Sequence, residues 1–242
     1  MIKKVISITL SVVLIFAVWI ITAAIIDAPL ILPYPPEVLK AFCFFVTKKL
    51  FWISFGFTVL RVFAAFLISL SLGTALGLLC GSSDFIKNVL EVPLSLMRST
   101  PVVAVILIVM LWFTSKTVPV VVGILMALPI ITTAVTTGIK QSAEKLNSMI
   151  KAYRLSKQQV FIYIKLPQLK PHFLSSCESI FGLCWKVVAA GEVLSLPRFG
   201  LGTIMHTSQV HLETAQVIAV TFVLVAVSYL LQKLLGLLNK DI

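Results

Sequence analysis

Glu178, Lys186 and Glu192 interrupt an otherwise apolar stretch in the last third of a 242-residue chain. A charge at membrane depth costs several kcal/mol unless it is paired or hydrated, so such residues face a bundle interior or a water-filled cavity. Lys186 falls near the middle of the stretch. Its ammonium can attract an anionic solute, or it can pair with a carboxylate, including one from a neighbouring subunit. Glu178 and Glu192 lie nearer the ends and suit interfacial or structural roles as well. Trp185, beside the lysine, is amphipathic and either lines a path or packs. Glu178, Trp185, Lys186 and Glu192 are therefore the candidate translocation-path residues.

Bond-making chemistry finds no support. The sequence has no nucleophile elbow, no HExxH and no GxxxxGK[ST] phosphate loop, so it offers neither a hydrolase site nor its own ATP cradle. Cys43, Cys80, Cys177 and Cys184 form no CxxC pair and have no histidine at metal-ligand spacing. His172, His206 and His211 are separated and suit surface or capping roles. The expectation is a non-enzyme without cofactor or metal of its own.

The elements that must hold these charges are long apolar helices. With 59% apolar and 12% charged residues, the chain reads as an all-α, polytopic membrane protein forming a single domain over residues 1–242. Six spans are expected: Val5 to Ile26, Phe51 to Cys80, Thr100 to Phe113, Val118 to Ile139, Phe173 to Leu196 and Thr214 to Leu235. The first exceeds the roughly 7 to 15 residues of a cleaved signal's apolar core and reads as a retained helix. After the prolines at 29, 33, 35 and 36, Val38 to Leu50 reads as a short interfacial helix. Gly73, Gly77 and Gly81 put small residues on one face of the second span, which favours close helix packing. Arg61, near the start of that span, reads as snorkelling to headgroups. Pro197 to Gly202 has the content of a tight turn.

The net charge of +11 would suggest nucleic acid in a soluble protein, but the cations gather in particular loops, which encodes membrane orientation instead. An even number of spans puts both termini, the Ser82 to Ser99 loop and the stretch from Lys140 to His172 on one side. That side collects most of the lysines and arginines and is therefore cytoplasmic. Between Ser148 and Pro167, the apolar Met149, Ala152, Tyr153, Val160, Phe161 and Ile164 recur at near-helical spacings among Lys151, Arg154, Lys157 and Lys165, a pattern suited to a helix offered to a soluble partner.

The order Ala152-Tyr-x-x-Ser156-x-x-Gln159-Val-Phe161, then Leu166-Pro167 and Pro171, resembles the "EAA" loop in permease subunits of bacterial type I, binding-protein-dependent ABC importers of the nitrate, sulfonate and taurine branch. Leu32-Pro-x-Pro-Pro-Glu-Val38, Thr58-Val-Leu-Arg61, Ser99-Thr-Pro101, Leu111-Trp-Phe113, Gly182-x-x-Trp185, Ala189-Ala-x-Glu192 and Gly200-Leu-Gly202 follow in the same family's order. The chain departs from the usual loop at Ser148, where the family has Glu, and at Arg154, where it has Gly.

The resemblance implies a permease for a small water-soluble solute, such as a nitrate-, sulfonate- or taurine-like anion or a vitamin-precursor heterocycle. It implies a homodimer in the bacterial inner membrane and an extracytoplasmic substrate-binding protein. A cytoplasmic ATPase subunit would bind ATP and Mg and dock on the 140–172 loop through Ala152, Tyr153, Arg154, Ser156, Val160, Phe161, Leu166 and Pro167. The alternative is a secondary transporter driven by an ion gradient through the charges of the fifth span. Membrane lipid is a partner on either reading; nucleic acid is not. Reporters inserted after Ile242 and near Lys145 should register the cytoplasm, and those near Pro35 or Arg198 the outside; labelling of position 145 from outside intact cells would overturn this topology.

Overall fold

The structure is a computed structural model that describes residues 2–145, 156, 159–160, 162 and 166–240. Among the described residues nine helices are present. They are α1 (Ile2–Ile26), α2 (Pro35–Val46), α3 (Lys49–Ser82), α4 (Asp84–Ser99), α5 (Val102–Met110), α6 (Val118–Lys145), α7 (Leu166–Ser195), α8 (Leu201–Val210) and α9 (Thr214–Lys240).

The centre of the bundle is α6, packed between α3 and α7. Lipid is as apolar as a leucine side chain, so helices in a membrane associate through close packing rather than by hiding from solvent. The glycine stripe provides that closeness. A Cβ added at Gly73, Gly77 or Gly81 would come within 2.7, 2.5 and 2.8 Å of the side chains of Ile131, Val135 and Ile139 respectively. Both series ascend together, so α3 and α6 run parallel. Thr136 adds a hydrogen bond from its Oγ1 to the Gly77 carbonyl, 3.3 Å away. Helix α7 returns in the opposite sense: Gly191 meets Pro119, and Val188 lies within 3.3 Å of the Cβ position of Gly123.

Parallel α3 and α6 require the chain between them to recross the membrane, and this corrects the third predicted span. The stretch from Thr100 to Phe113 contains only the nine-residue helix α5, about 13 Å long and too short to cross about 30 Å of hydrocarbon. The predicted Ser82 to Ser99 loop is the helix α4, and α4 and α5 meet at a bend of 100° to make the crossing together. Asp84, at the start of α4, pairs with Lys140 near the end of α6. Arg98, at the other end of α4, bonds to the Pro129 carbonyl and Thr133 Oγ1 in the middle of α6. Arg98 is therefore not a loop charge, as its sequence position suggests. The bend falls at Pro101, whose preceding residue is biased away from helical geometry.

Three further boundaries differ from expectation. The short helix before α3 starts at Pro35 and stops at Val46; Glu37 accepts the Tyr34 N–H at 3.0 Å to cap it. Val38 and Phe45 are buried, so this helix is docked on the bundle rather than only resting at the interface. Helices α6 and α7 extend into both ends of the 140–172 loop, and Pro167 sits in the first turn of α7, where its missing N–H is harmless. Helix α8 begins inside the segment whose composition suggests only a turn. The first helix is tied to the rest of the fold by the Trp19 indole N–H on the Pro33 carbonyl at 3.1 Å and by the Trp19 ring against Phe222.

Replacing Gly77 by Val should destabilise the subunit by about 1–3 kcal/mol through overpacking against Val135, whereas Gly56→Val, where a Cβ meets nothing within 4 Å, should behave as wild type. Melting temperatures of the two purified variants check this.

Candidate functional site

The intramembrane charges separate into one set that is satisfied and one that is not. Glu192, in the last turn of α7, is 0% exposed, and both of its oxygens are engaged. Arg61 Nη1 donates to Glu192 Oε1 at 2.6 Å, while Thr58 Oγ1 and the Gly202 N–H donate to Oε2 at 2.8 and 3.1 Å. The same Arg61 nitrogen donates to the Phe199 carbonyl at 2.7 Å, and Thr58 Oγ1 accepts the Leu201 N–H at 2.9 Å. Thr58 and Arg61 stand three residues apart on one face of α3, so both reach the carboxylate.

The Gly-Leu-Gly segment exists for this contact. A Cβ at Gly200 would lie 2.7 Å from the Glu192 carboxyl carbon, and one at Gly202 would lie 2.5 Å from the Ala189 carbonyl oxygen. Neither glycine lies in the left-handed region, Gly200 being extended at φ 169°; the left-handed residue of this corner is Leu196, at φ 49°, which ends α7. The tight-turn reading is thus replaced by one of close approach. Snorkelling of Arg61 is corrected as well: the residue is only 8% exposed and points its charge inward to a partner. Sequence reasoning missed this pair, although an unexplained cation in one apolar span and an unexplained anion in another were its signal. Glu192 holds α3, α7 and α8 together and does not line the cavity that Lys186 lines.

Lys186 belongs to the other set. It is exposed, and no ion pair to it exists among the described residues. The two carboxylates of its own helix are placed elsewhere. Glu192 is taken by Arg61, and half-buried Glu178 lies against α9, where a Cβ on Gly236 would come within 3.2 Å of Oε1. Lys186 instead lines a cavity of about 440 Å³ between α7, α8 and α9, with Trp185, Met205, Thr221, Ser228, Tyr229 and Gln232. Trp185 is 2% exposed, packs on Phe181, and has an indole N–H without a hydrogen-bond partner among the described residues. The lining is mostly apolar, with the Lys186 ammonium as its one charge and the hydroxyl and amide groups of Thr221, Ser228, Tyr229 and Gln232 along α9; the Trp185 nitrogen is itself buried, so the ammonium is what the cavity offers a small charged solute. A larger groove of about 810 Å³ between α1, α2, α3 and α9 is walled by aromatic and aliphatic residues such as Phe16, Trp52 and Phe222 and has no comparable donors.

Of the predicted coupling residues, Ala152, Tyr153, Arg154 and Phe161 lie outside the described residues. Ser156 and Gln159 form a reciprocal cap: the Ser156 N–H donates to Gln159 Oε1 at 2.9 Å and the Gln159 N–H to Ser156 Oγ at 3.3 Å. With the Val160 N–H on the Ser156 carbonyl, this capping box opens a helical turn. Leu166 and Pro167 open α7.

A profile of the binding-protein-dependent transport system inner membrane component family matches residues 73–242. The chain belongs to that family. It is 25% identical over 210 residues to the taurine transport system permease protein TauC of Escherichia coli (strain K12), covering 83% of this chain and 75% of that one. It is likewise 25% identical over 216 residues to the formylaminopyrimidine transport permease protein ThiX of Halalkalibacterium halodurans, covering 89% and 86%. Its fold resembles that of a chain of the MetNI methionine ABC transporter, with a TM-score of 0.58 and 18% identity over 78% of this chain and 93% of that one. This permease is thus a membrane-spanning subunit of an ABC importer, a multi-pass inner-membrane protein. The secondary-transporter alternative falls with that membership.

In this permease, removing one partner of the buried pair strands the other charge. Glu192→Ala should cost about 3–5 kcal/mol and sharply reduce the yield of folded subunit. The double variant Arg61→Met/Glu192→Met should recover much of that loss, as read from yield and melting temperature in detergent.

Proposed function

We propose that this subunit passes a small water-soluble anion across the inner membrane as a homodimer, driven by a separate cytoplasmic ATPase that holds ATP and Mg and supplied by an extracytoplasmic binding protein. The observation that carries the anion reading is Lys186. Lys186 has no ion-pair partner among the described residues; such a cation at membrane depth is tolerated only beside water or a partner surface, and its sign selects negative solutes. The cavity places Trp185 and the polar face of α9 beside it. TauC, a taurine permease by name, fits a sulfonate-bearing solute; ThiX keeps a heterocycle on the panel to be assayed.

Coupling runs through the segment that joins α6 to α7. ATPase closure would be transmitted by Tyr153 and Phe161 as apolar anchors and Arg154 as a charged contact in a helix-in-groove mode. The Ser156–Gln159 cap supports a helix start in that segment. Both helices flanking it reach the site region: α6 packs the glycine stripe, and α7 carries Lys186 and the Glu192 pair. With both termini and this segment cytoplasmic, motion applied there is delivered directly to the path-lining helix.

Proteoliposomes holding the complete importer test the reading with radiolabelled taurine, an aliphatic sulfonate, nitrate and formylaminopyrimidine. Lys186→Met should leave complex yield and melting temperature unchanged and lower uptake of the transported member by tenfold or more, on the order of 1.4 kcal/mol. Normal uptake would exclude a path role. Phe161→Ala and Arg154→Glu should loosen co-purification of the ATPase and uncouple transport; unchanged co-purification and uptake in both would remove this segment from the mechanism.

A further inference from the structure

Arg98 is a second cation at membrane depth, and the reading above leaves it without a task. Its Nη2 donates to the Pro129 carbonyl at 3.5 Å and to Thr133 Oγ1. Pro129 is the midpoint of the apolar stretch Val118–Lys140 of α6, so the guanidinium lies near the bilayer centre. Either headgroup layer is about 15 Å away, beyond the reach of an arginine side chain. Arg98 is nevertheless exposed on the subunit surface. Among the described residues no carboxylate pairs with it: Asp84 of the same helix is engaged by Lys140, and Glu91 lies two turns earlier. Its recorded contacts are neutral and use Nη2 alone, which leaves the donors of Nε and Nη1 uncommitted there.

Depth and face relate Arg98 to Lys186. Because Gly191 meets Pro119 and Val188 meets Gly123, α7 descends as α6 ascends, and Lys186 stands level with Leu125, about 6 Å along the helix from Pro129. Helix α5, which follows Arg98 after the bend, packs against α6 and α7 in a cluster that includes Val102, Leu183 and Ala190. Ala190 also lines the Lys186 cavity. One apolar patch therefore separates the two cations on one side of the subunit.

We propose that Arg98 is a further specificity-determining residue of the path, a second positive station that receives the anionic solute after Lys186. This rests on the reading of the Lys186 cavity as the path. Two moderate stations at successive depths let an ion enter without being trapped, as conduction through a narrow pathway requires. The tether to α6 fixes Arg98 without neutralising it, which a carboxylate partner would do.

The test uses local potential as its readout in the assembled importer. Cys43 is the exposed native thiol, and Cys80, Cys177 and Cys184 are buried, so Cys43→Ser provides the background and Ala190→Cys the reporter. Rates of modification by anionic sulfonatoethyl methanethiosulfonate and cationic trimethylammonioethyl methanethiosulfonate are compared. The anionic reagent should react faster, and Arg98→Gln should lower the anion-to-cation ratio by about three- to tenfold, while Arg98→Lys restores it. If neither reagent reaches the thiol introduced by Ala190→Cys, the path reading itself fails. If both reach it and Arg98→Gln leaves the ratio unchanged, the role of Arg98 fails and the path stands; an Arg98 that pairs across the dimer would give that result together with a lower melting temperature. A second reporter, Val102→Cys, keeps Arg98 intact, so that even where Arg98→Gln does not assemble, equal or cation-favouring rates at position 102 overturn the proposal.

Discussion

The arrangement depends on what hydrocarbon does to an unpaired charge. Moving a carboxylate or a guanidinium out of water carries a penalty of several kcal/mol per ion even after relaxation, and only close pairing with further hydrogen bonds offsets it. Glu192 meets that condition with Arg61 at 2.6 Å and donors from Thr58 and Gly202. Satisfying the carboxylate fixes more than a pair of side chains. It brings α3 against α7, draws the backbone of Gly200 to Gly202 over the end of α7, and thereby sets where α8 begins. Helix α3 and the α7–α8 corner, 131 residues apart in sequence, share one electrostatic requirement, and each would be poorly placed without the other.

The same penalty sorts the remaining charges. Lys186 and Arg98 lack carboxylate partners among the described residues, yet both sit at depths where lipid contact is prohibitive. A subunit that exposes them must turn that surface toward water or another chain. The large exposed apolar surface of α1 and of the outer faces of α3 and α9 has the opposite character and suits acyl chains. Charge placement thus distinguishes the lipid-facing side of the bundle from the side turned to water or another chain.

Much of this is legible in the sequence. Five of the six expected spans match single long helices, because a run of about 20 apolar residues has few other uses. The glycines at 73, 77 and 81 announce close packing, although not that Ile131, Val135 and Ile139 fill the gap. The rest is what composition cannot encode. Asp84 to Ser99 is amphipathic, carries four ionic side chains (Asp84, Lys87, Glu91 and Arg98) and contains Pro93, so it reads as a loop; only its packing along α6 shows it to be half of a crossing. Arg61 reads as outward-facing because an isolated cation near a span's end usually snorkels. Its partner lies 131 residues away in sequence, and a pairing at that distance is visible only once α3 and α7 are antiparallel neighbours.

The bent crossing also bears on how a permease of this kind can move. A straight helix between α3 and α6 would be a third rigid post, whereas α4 and α5 are two short rods joined at Thr100–Pro101. Helix α4 is pinned to α6 at both ends, by Asp84 to Lys140 and by Arg98 to Pro129 and Thr133. Helix α5 is pinned to α6 and α7 by Ile106, Val109, Val122 and Val187. Rotation of α7 relative to α6 would therefore strain the α5 contacts while leaving α4 with α6. The joint at Pro101 is the place where such strain is most cheaply absorbed, because Thr100 and Pro101 are extended (ψ 129° and 134°) and the helical ladder is already interrupted between them: the Thr100 N–H closes α4 on the Leu96 carbonyl, the Pro101 carbonyl opens α5 by accepting the Val105 N–H, and Pro101 has no N–H to donate. Arg98 borders that joint on the α4 side and Lys186 moves with α7, so a hinge there would change the spacing between the two cations, and with it the potential felt by an anion between them.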